Sequence, residues 1–226
     1  MKALSFAVVL IALAALAPGQ AQAQVDQGDF RLFFDTGLMS YTMSRIKADA
    51  PAGDFKDKDN QLSIGPGLIG ASTGVGVAYA ASRHVLPGLY LGFNRTKLTG
   101  ETEVDGRDAD KNDRAFTQLE LRPNLELAFL PEASFVPYGL IGLSYIYRGV
   151  SVEDDDDSDS SGIGPVLGLG AHAFAARNVS FDFSFTFRAL FINDDDREDA
   201  LEAAGLKDVK QREYAILFNL GASLWL

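Results

Sequence analysis

Cysteine is absent from the 226 residues, which removes disulfides, thiolate nucleophiles and thiolate metal sites at once. Histidine is nearly absent as well: His84 and His172 are the only two, and neither has a predicted serine partner. No G-x-S-x-G elbow, zinc signature or phosphate loop occurs. No catalytic, cofactor-binding or confident metal residue is therefore assigned, and the chain is read as non-enzymatic with no cofactor. Basic residues are in deficit, 20 Lys and Arg against 31 Asp and Glu, for a net charge of −11; such a chain repels nucleic acid, which is excluded as a partner. Beyond the first sixteen residues no segment has the unbroken apolar run of roughly 20 residues that a transmembrane helix needs.

That first stretch reads as an export signal. Lys2 precedes an apolar run over residues 3–16, Pro18 and Gly19 break it, and Ala21-Gln22-Ala23 offers a small-residue cleavage site. Residues 1–23 are thus expected to be removed, leaving one domain over 24–226. The mean hydropathy of the whole chain is near zero, which suits a soluble protein or a membrane barrel equally, since only every second barrel residue faces lipid.

The domain alternates with period 2 between turn signals, and eight strands are expected at 29–46, 61–81, 88–99, 114–130, 137–150, 162–176, 179–192 and 211–226. The joints between them are in turn long and charged (47–60, 100–113, 151–161, 193–210) and short. That is the topology of an eight-stranded antiparallel up-and-down transmembrane β-barrel, with long acidic extracellular loops, short periplasmic turns and both termini periplasmic. On the last strand Tyr214, Ile216, Phe218, Leu220, Ala222, Leu224 and Leu226 share one face. On the seventh, Phe181, Phe183, Phe185, Phe187 and Phe191 form a stripe too apolar to be left in water. The second strand is crowded with Gly65, Gly67, Gly70, Gly74, Gly76 and Pro66, so a bulge or register change is expected there.

An eight-stranded barrel is just wide enough for its own side chains. The alternation turns Arg31, Asp35, Glu120, Arg122, Glu126, Asp182, Arg188 and Glu213 inward, and charges so placed must pair. The four long joints together hold 23 acidic and 8 basic residues. Asp154, Asp155, Asp156 and Asp157 are the densest run and weak candidates for collecting divalent cations. Asp57-x-Asp59 and Asp108-x-Asp110-x-Asn112 resemble the start of a calcium loop but lack its glycine and its glutamate. Residues 195–206 are expected to form a short helix with an Asp cap and Gly205 as its stop.

The end of the chain, Asn219-x-Gly221-x-x-Leu224-x-Leu226, resembles the C-terminal assembly signal of the small outer-membrane barrels, the OmpA transmembrane domain and OmpX group, with Leu226 where that family usually has Phe or Trp. The resemblance spans the mature chain. It implies insertion by the barrel-assembly machinery and residence in the outer membrane of a Gram-negative cell envelope, among outer-membrane lipid and lipopolysaccharide. The expected function is a structural or surface-interaction role with a lumen plugged by salt bridges. The alternatives are a narrow porin-like channel for ions or small solutes, and a soluble lipocalin-like carrier.

Overall fold

The computed structural model describes residues 25–50, 53–64, 72–104, 107–152 and 158–226; the expected signal, 1–23, lies outside them. Nine strands form one antiparallel sheet: β1 (Phe30–Ala50), β2 (Gly53–Ile64), β3 (Thr73–Tyr79), β4 (Val85–Val104), β5 (Arg107–Ala128), β6 (Phe135–Val152), β7 (Ser158–Ala176), β8 (Val179–Asn193) and β9 (Lys207–Trp225). Strand β9 returns to pair with β1 from Arg31↔Trp225 to Asp49↔Lys207, so the sheet closes on itself. The seam ends in a two-way clasp, Leu226 N donating to Phe30 O at 2.8 Å and Phe30 N to Leu226 O at 3.0 Å. Closure satisfies the backbone groups that an open sheet would expose, which is the condition for crossing lipid with strands.

The ring has eight positions, and the second is shared. The expected strand 61–81 is two strands: β2 pairs with the upper half of β1 from Met39↔Ile64 to Ala50↔Gly53, and β3 with its lower half from Phe30↔Tyr79 to Thr36↔Thr73. The handover falls where β1 shifts register against β9, between Gly37 and Met39. Proline cannot donate to a ladder and glycine packs nothing across it, so this stretch is poorly suited to one continuous strand. Among the described residues β2 pairs with β1 alone, and β3 supplies the pairing to β4.

Several strands also run further than the alternation suggests. Residues 47–50 and 53–60 continue the β1–β2 ladder, and β4 and β5 pair up to Val104↔Arg107. Hydrophobic alternation stops where the apolar environment stops, but backbone pairing needs no apolar side chain to continue. The expected helix is present as α1 (Asp195–Ala203). Asp194 caps it, its Oδ1 accepting from Arg197 N at 3.1 Å, and Gly205 ends it at φ +86°, a left-handed conformation glycine adopts without penalty. Arg197 also reaches Asp57 of β2 at 3.9 Å. Asp194→Ala should loosen this helix by about 1 kcal/mol, seen as roughly fivefold faster amide exchange at Arg197 with the barrel unchanged.

The two faces of the wall differ as the period demands. Outward stand Leu91, Leu121, Ile141, Leu167, Leu169, Phe185, Phe187, Ile216 and Leu220, each 39% or more exposed. The phenylalanine stripe of the seventh expected strand therefore points away from the lumen. This sinks the soluble carrier, which needs those rings inside. At the end that holds Val25, Leu226 and the short turns, Val25, Ala78, Ala80, Leu86, Ala128, Val136 and Trp225 form an apolar stopper, with Phe33 and Phe174 against it. Phe33 lies over Gly76, where any Cβ would meet its ring. Val25 N donates to Pro131 O at 2.9 Å and seats the start of the described chain in this stopper.

Candidate functional site

Above the stopper the lumen is filled by charge, in two linked tiers. The lower tier is built on β1, β5, β7 and β8. Arg31 makes a forked pair with Glu126, Nη2 to Oε1 at 2.5 Å and Nη1 to Oε2 at 2.8 Å, with both side chains 4% exposed or less. His172 completes it: Nδ1 lies 2.8 Å from Asp182 Oδ1, and Nε2 lies 2.8 Å from Arg31 Nη1 and 3.3 Å from Glu126 Oε2. With Nε2 accepting from Arg31, Nδ1–H donates to Asp182. The imidazole is stacked on Tyr138 at 4.4 Å between ring centres and meets Trp225 edge-on at 5.4 Å. Ser180 and Ser223 both donate to Asp182.

The upper tier hangs from Glu120. Its carboxylate faces Arg122 at 3.7 Å and Arg188 at 3.4 Å, and accepts from Ser72 at 2.6 Å and Ser144 at 3.0 Å. Arg122 also reaches Asp35 at 3.8 Å and lies over the Tyr90 ring at 4.3 Å. Arg188 leads on to Glu213 at 3.6 Å, and Glu213 takes a fork from Arg148 at 2.6 and 2.7 Å. Arg148 in turn holds Gln118 at 3.1 Å. Between the tiers a cavity of about 20 Å³ is lined by Arg31, Asp35, Arg122, Asn124 and Asp182 among others, room for about one water molecule.

All eight charges expected in the lumen lie there, and Arg188 with Glu213 joins neighbouring strands, but other close pairs are not those that strand adjacency suggests. Arg31, Asp35, Asp182, Arg188 and Glu213 sit on neighbouring strands, yet the close pairs run across the lumen to β5, Arg31 to Glu126 and Arg188 to Glu120. A narrow barrel brings opposite walls within side-chain reach, which strand order does not reveal. Two members went unforeseen as members. Arg148 sits inward on β6, a strand whose mixed pattern hides it, and His172, though read as inward, becomes a hub. With Arg148 the described lumen holds four guanidinium groups against five carboxylates, within one charge of neutral.

Among the described residues, His172 and Asp182 are not set up as a catalytic pair. His172 and Asp182 have the spacing of a base and its orienting carboxylate, but the far nitrogen faces Arg31 and Glu126 rather than a hydroxyl, and His172 is only 1% exposed. His84, on a short turn, points Nδ1 at Ala128 O at 2.8 Å. Among the described residues no cluster of three or more His, Cys, Asp or Glu is placed to hold a metal ion. Asp154, Asp155, Asp156 and Asp157 lie outside the described residues.

The C-terminal motif is divided between the two faces. Asn219 is buried inward and donates to Ser184 at 3.2 Å. Gly221 stands in register with Asp35 and Asp182. Leu224 and Leu226 are exposed outward, and Trp225 points inward with Nε1 donating to Ser180 Oγ at 3.0 Å.

A closed antiparallel ring with an aliphatic and aromatic exterior and an ion-paired interior is a transmembrane β-barrel of the outer-membrane kind. The chain belongs to the outer membrane protein beta-barrel domain family, which it matches over residues 8–215. No curated protein matches it. Among solved structures it is similar to OprG from Pseudomonas aeruginosa, at 17% identity over 91% of this chain and 99% of that one, with a TM-score of 0.44. Neisserial surface protein A is similar at 16% identity over 88% and 99%, also at 0.44. The outer membrane protease OmpT from Escherichia coli is similar at 9% identity over 88% and 97%, at 0.43.

Proposed function

We propose that this outer-membrane barrel is a non-enzymatic structural and surface-interaction protein, with the stopper and both termini facing the periplasm and the long-connection end facing outward. The observation that carries the reading is the filled lumen. Among the described residues, an apolar stopper, two tiers of buried ion pairs and a void of about one water argue against a path for a solute. A porin reading needs a polar lumen open from end to end, and Trp225, Phe33 and Tyr138 fill its stopper end. In the same reading Asn219, Gly221, Leu224 and Leu226 serve as the assembly signal that the insertion machinery recognises.

The test is conductance across a planar bilayer. The wild-type barrel should show no resolvable channel events, and Arg122→Glu should show none either, because other side chains still fill the lumen. Steady single-channel currents in the wild type, changed in size or ion preference by Arg122→Glu, would replace the plug with a gated pore.

A further inference from the structure

One nitrogen of His172 meets both signs of charge. Its Nε2 lies 2.8 Å from Arg31 Nη1 and 3.3 Å from Glu126 Oε2. Its Nδ1 lies 2.8 Å from Asp182 Oδ1, with Arg31 Nη1 at 3.4 Å. A guanidinium donates and never accepts. The Arg31 contact therefore suits a ring whose Nε2 carries a lone pair, and the Glu126 contact suits one whose Nε2 carries a hydrogen. A single nitrogen cannot serve both at once.

The groups around the ring supply a reason for each state. Facing it are Arg31 from β1, Glu126 from β5, Tyr138 from β6 and Asp182 from β8, with Trp225 of β9 edge-on. With a neutral ring, Arg31 keeps both arms of its fork on Glu126. The described lumen is then one positive charge short of its five carboxylates. With an imidazolium the count closes, four guanidinium groups and the ring against Asp35, Glu120, Glu126, Asp182 and Glu213. The charged ring also keeps a carboxylate near each nitrogen and lies on the Tyr138 face at 4.4 Å between centres, a position that attracts a cation. Its cost is the contact with Arg31, because two cations 2.8 Å apart repel strongly where water is excluded. One set of side chains thus has two arrangements, each with its own compensation, and a proton biases the choice between them.

We propose that His172 is a proton-operated switch at the base of the plug. When the ring is neutral, Nε2 accepts from Arg31. When it is protonated, Nε2–H donates to Glu126 Oε2, Nδ1–H stays on Asp182, and Arg31 withdraws its Nη1 arm while Nη2 stays on Glu126 Oε1. The freed Nη1 turns into the small cavity that Arg31 shares with Asp35. Among the described residues Asp35 has one ion-pair contact, Arg122 at 3.8 Å, so the exchange reaches the upper tier. It reaches the stopper through Trp225, which belongs to that cluster and meets the imidazole. The switch rests on the plug proposed above; steady channel currents in the wild type would refute the plug, whereas the protonation of the ring decides the switch.

The experiment folds the full mature chain, labelled with 15N-histidine, into phospholipid vesicles and records the ring nitrogen shifts by solid-state NMR. The samples run from about pH 9 to about pH 4, which brackets the range in which an imidazole takes up its proton. Trp225 emission is followed over the same range in wild type and in His172→Gln. His172 should pass from one protonated nitrogen to two in a single reversible step, with Trp225 emission changing at the same pH. The variant should lose both the ring signal and the emission step and keep only the signals of His84. A His172 ring that holds one protonation state throughout overturns the proposal, and the wild type alone decides this even where the variant fails to fold. Trp225 emission that follows the same course in wild type and variant overturns it too, since the stopper would not sense the ring.

Discussion

Arg31→Met should destabilise the folded barrel by about 3–5 kcal/mol, and Arg31→Met with Glu126→Leu should recover most of that loss. Glu126 is buried, and without the guanidinium its charge keeps, among the described residues, only the His172 contact at 3.3 Å. An uncompensated charge in such a place is what makes the breaking of a buried pair expensive, whereas replacing both partners by apolar groups of similar size is often neutral. Methionine suits the site because Arg31 lies 4.5 Å over the Phe33 ring and 5.4 Å from that of Trp225, and a thioether packs well on aromatic rings. The measurement is denaturant unfolding in phospholipid vesicles. Trp225 is the chain's one tryptophan and stands against His172 and Phe174, so its fluorescence reports this tier directly. A double variant no more stable than the single one would mean that the pair's value lies in its hydrogen-bond geometry rather than in charge balance.

The second large effect is expected on the opposite face. Phe185→Arg should be less stable than Phe185→Ala by about 2–4 kcal/mol, the penalty for a cation at the bilayer midplane. Phe185 is central in β8, 57% exposed, and packed on Phe218 at 4.8 Å between ring centres. Asn60→Arg, on the outward row of Met43 and Tyr214 toward the long-connection end, should cost only about 0–1 kcal/mol, as near an interface. Equal penalties at the two positions would show that the wall meets water throughout rather than a band of lipid.

Both expectations trace back to a pattern readable in the chain. The period of two separates Glu213, Ala215, Leu217, Asn219, Ser223 and Trp225, all buried, from Ile216, Leu220, Leu224 and Leu226, all exposed, and it does so without knowledge of any partner strand. The same holds for Arg31, Glu120, Arg122, Glu126 and Arg188, each 5% exposed or less. The cap and stop of α1 are equally local, an Asp side chain on a backbone N–H and a glycine at positive φ. Such features depend on neighbours in sequence, and their physics acts over a few residues.

What the sequence by itself determined is therefore the class of fold, the direction in which most side chains point, and the cellular boundary the chain is built to occupy. The tertiary structure alone decided which charges meet. Arg31 finds Glu126 95 positions away across the lumen, and Arg148 joins Glu213 from a strand whose pattern conceals it, because ring closure sets opposite walls within reach. It also divided the glycine-rich second segment into two strands and set His172 against Arg31. Pairing register has no local signature: it is fixed only when distant strands share a ladder, and only then do residues 141 positions apart become neighbours.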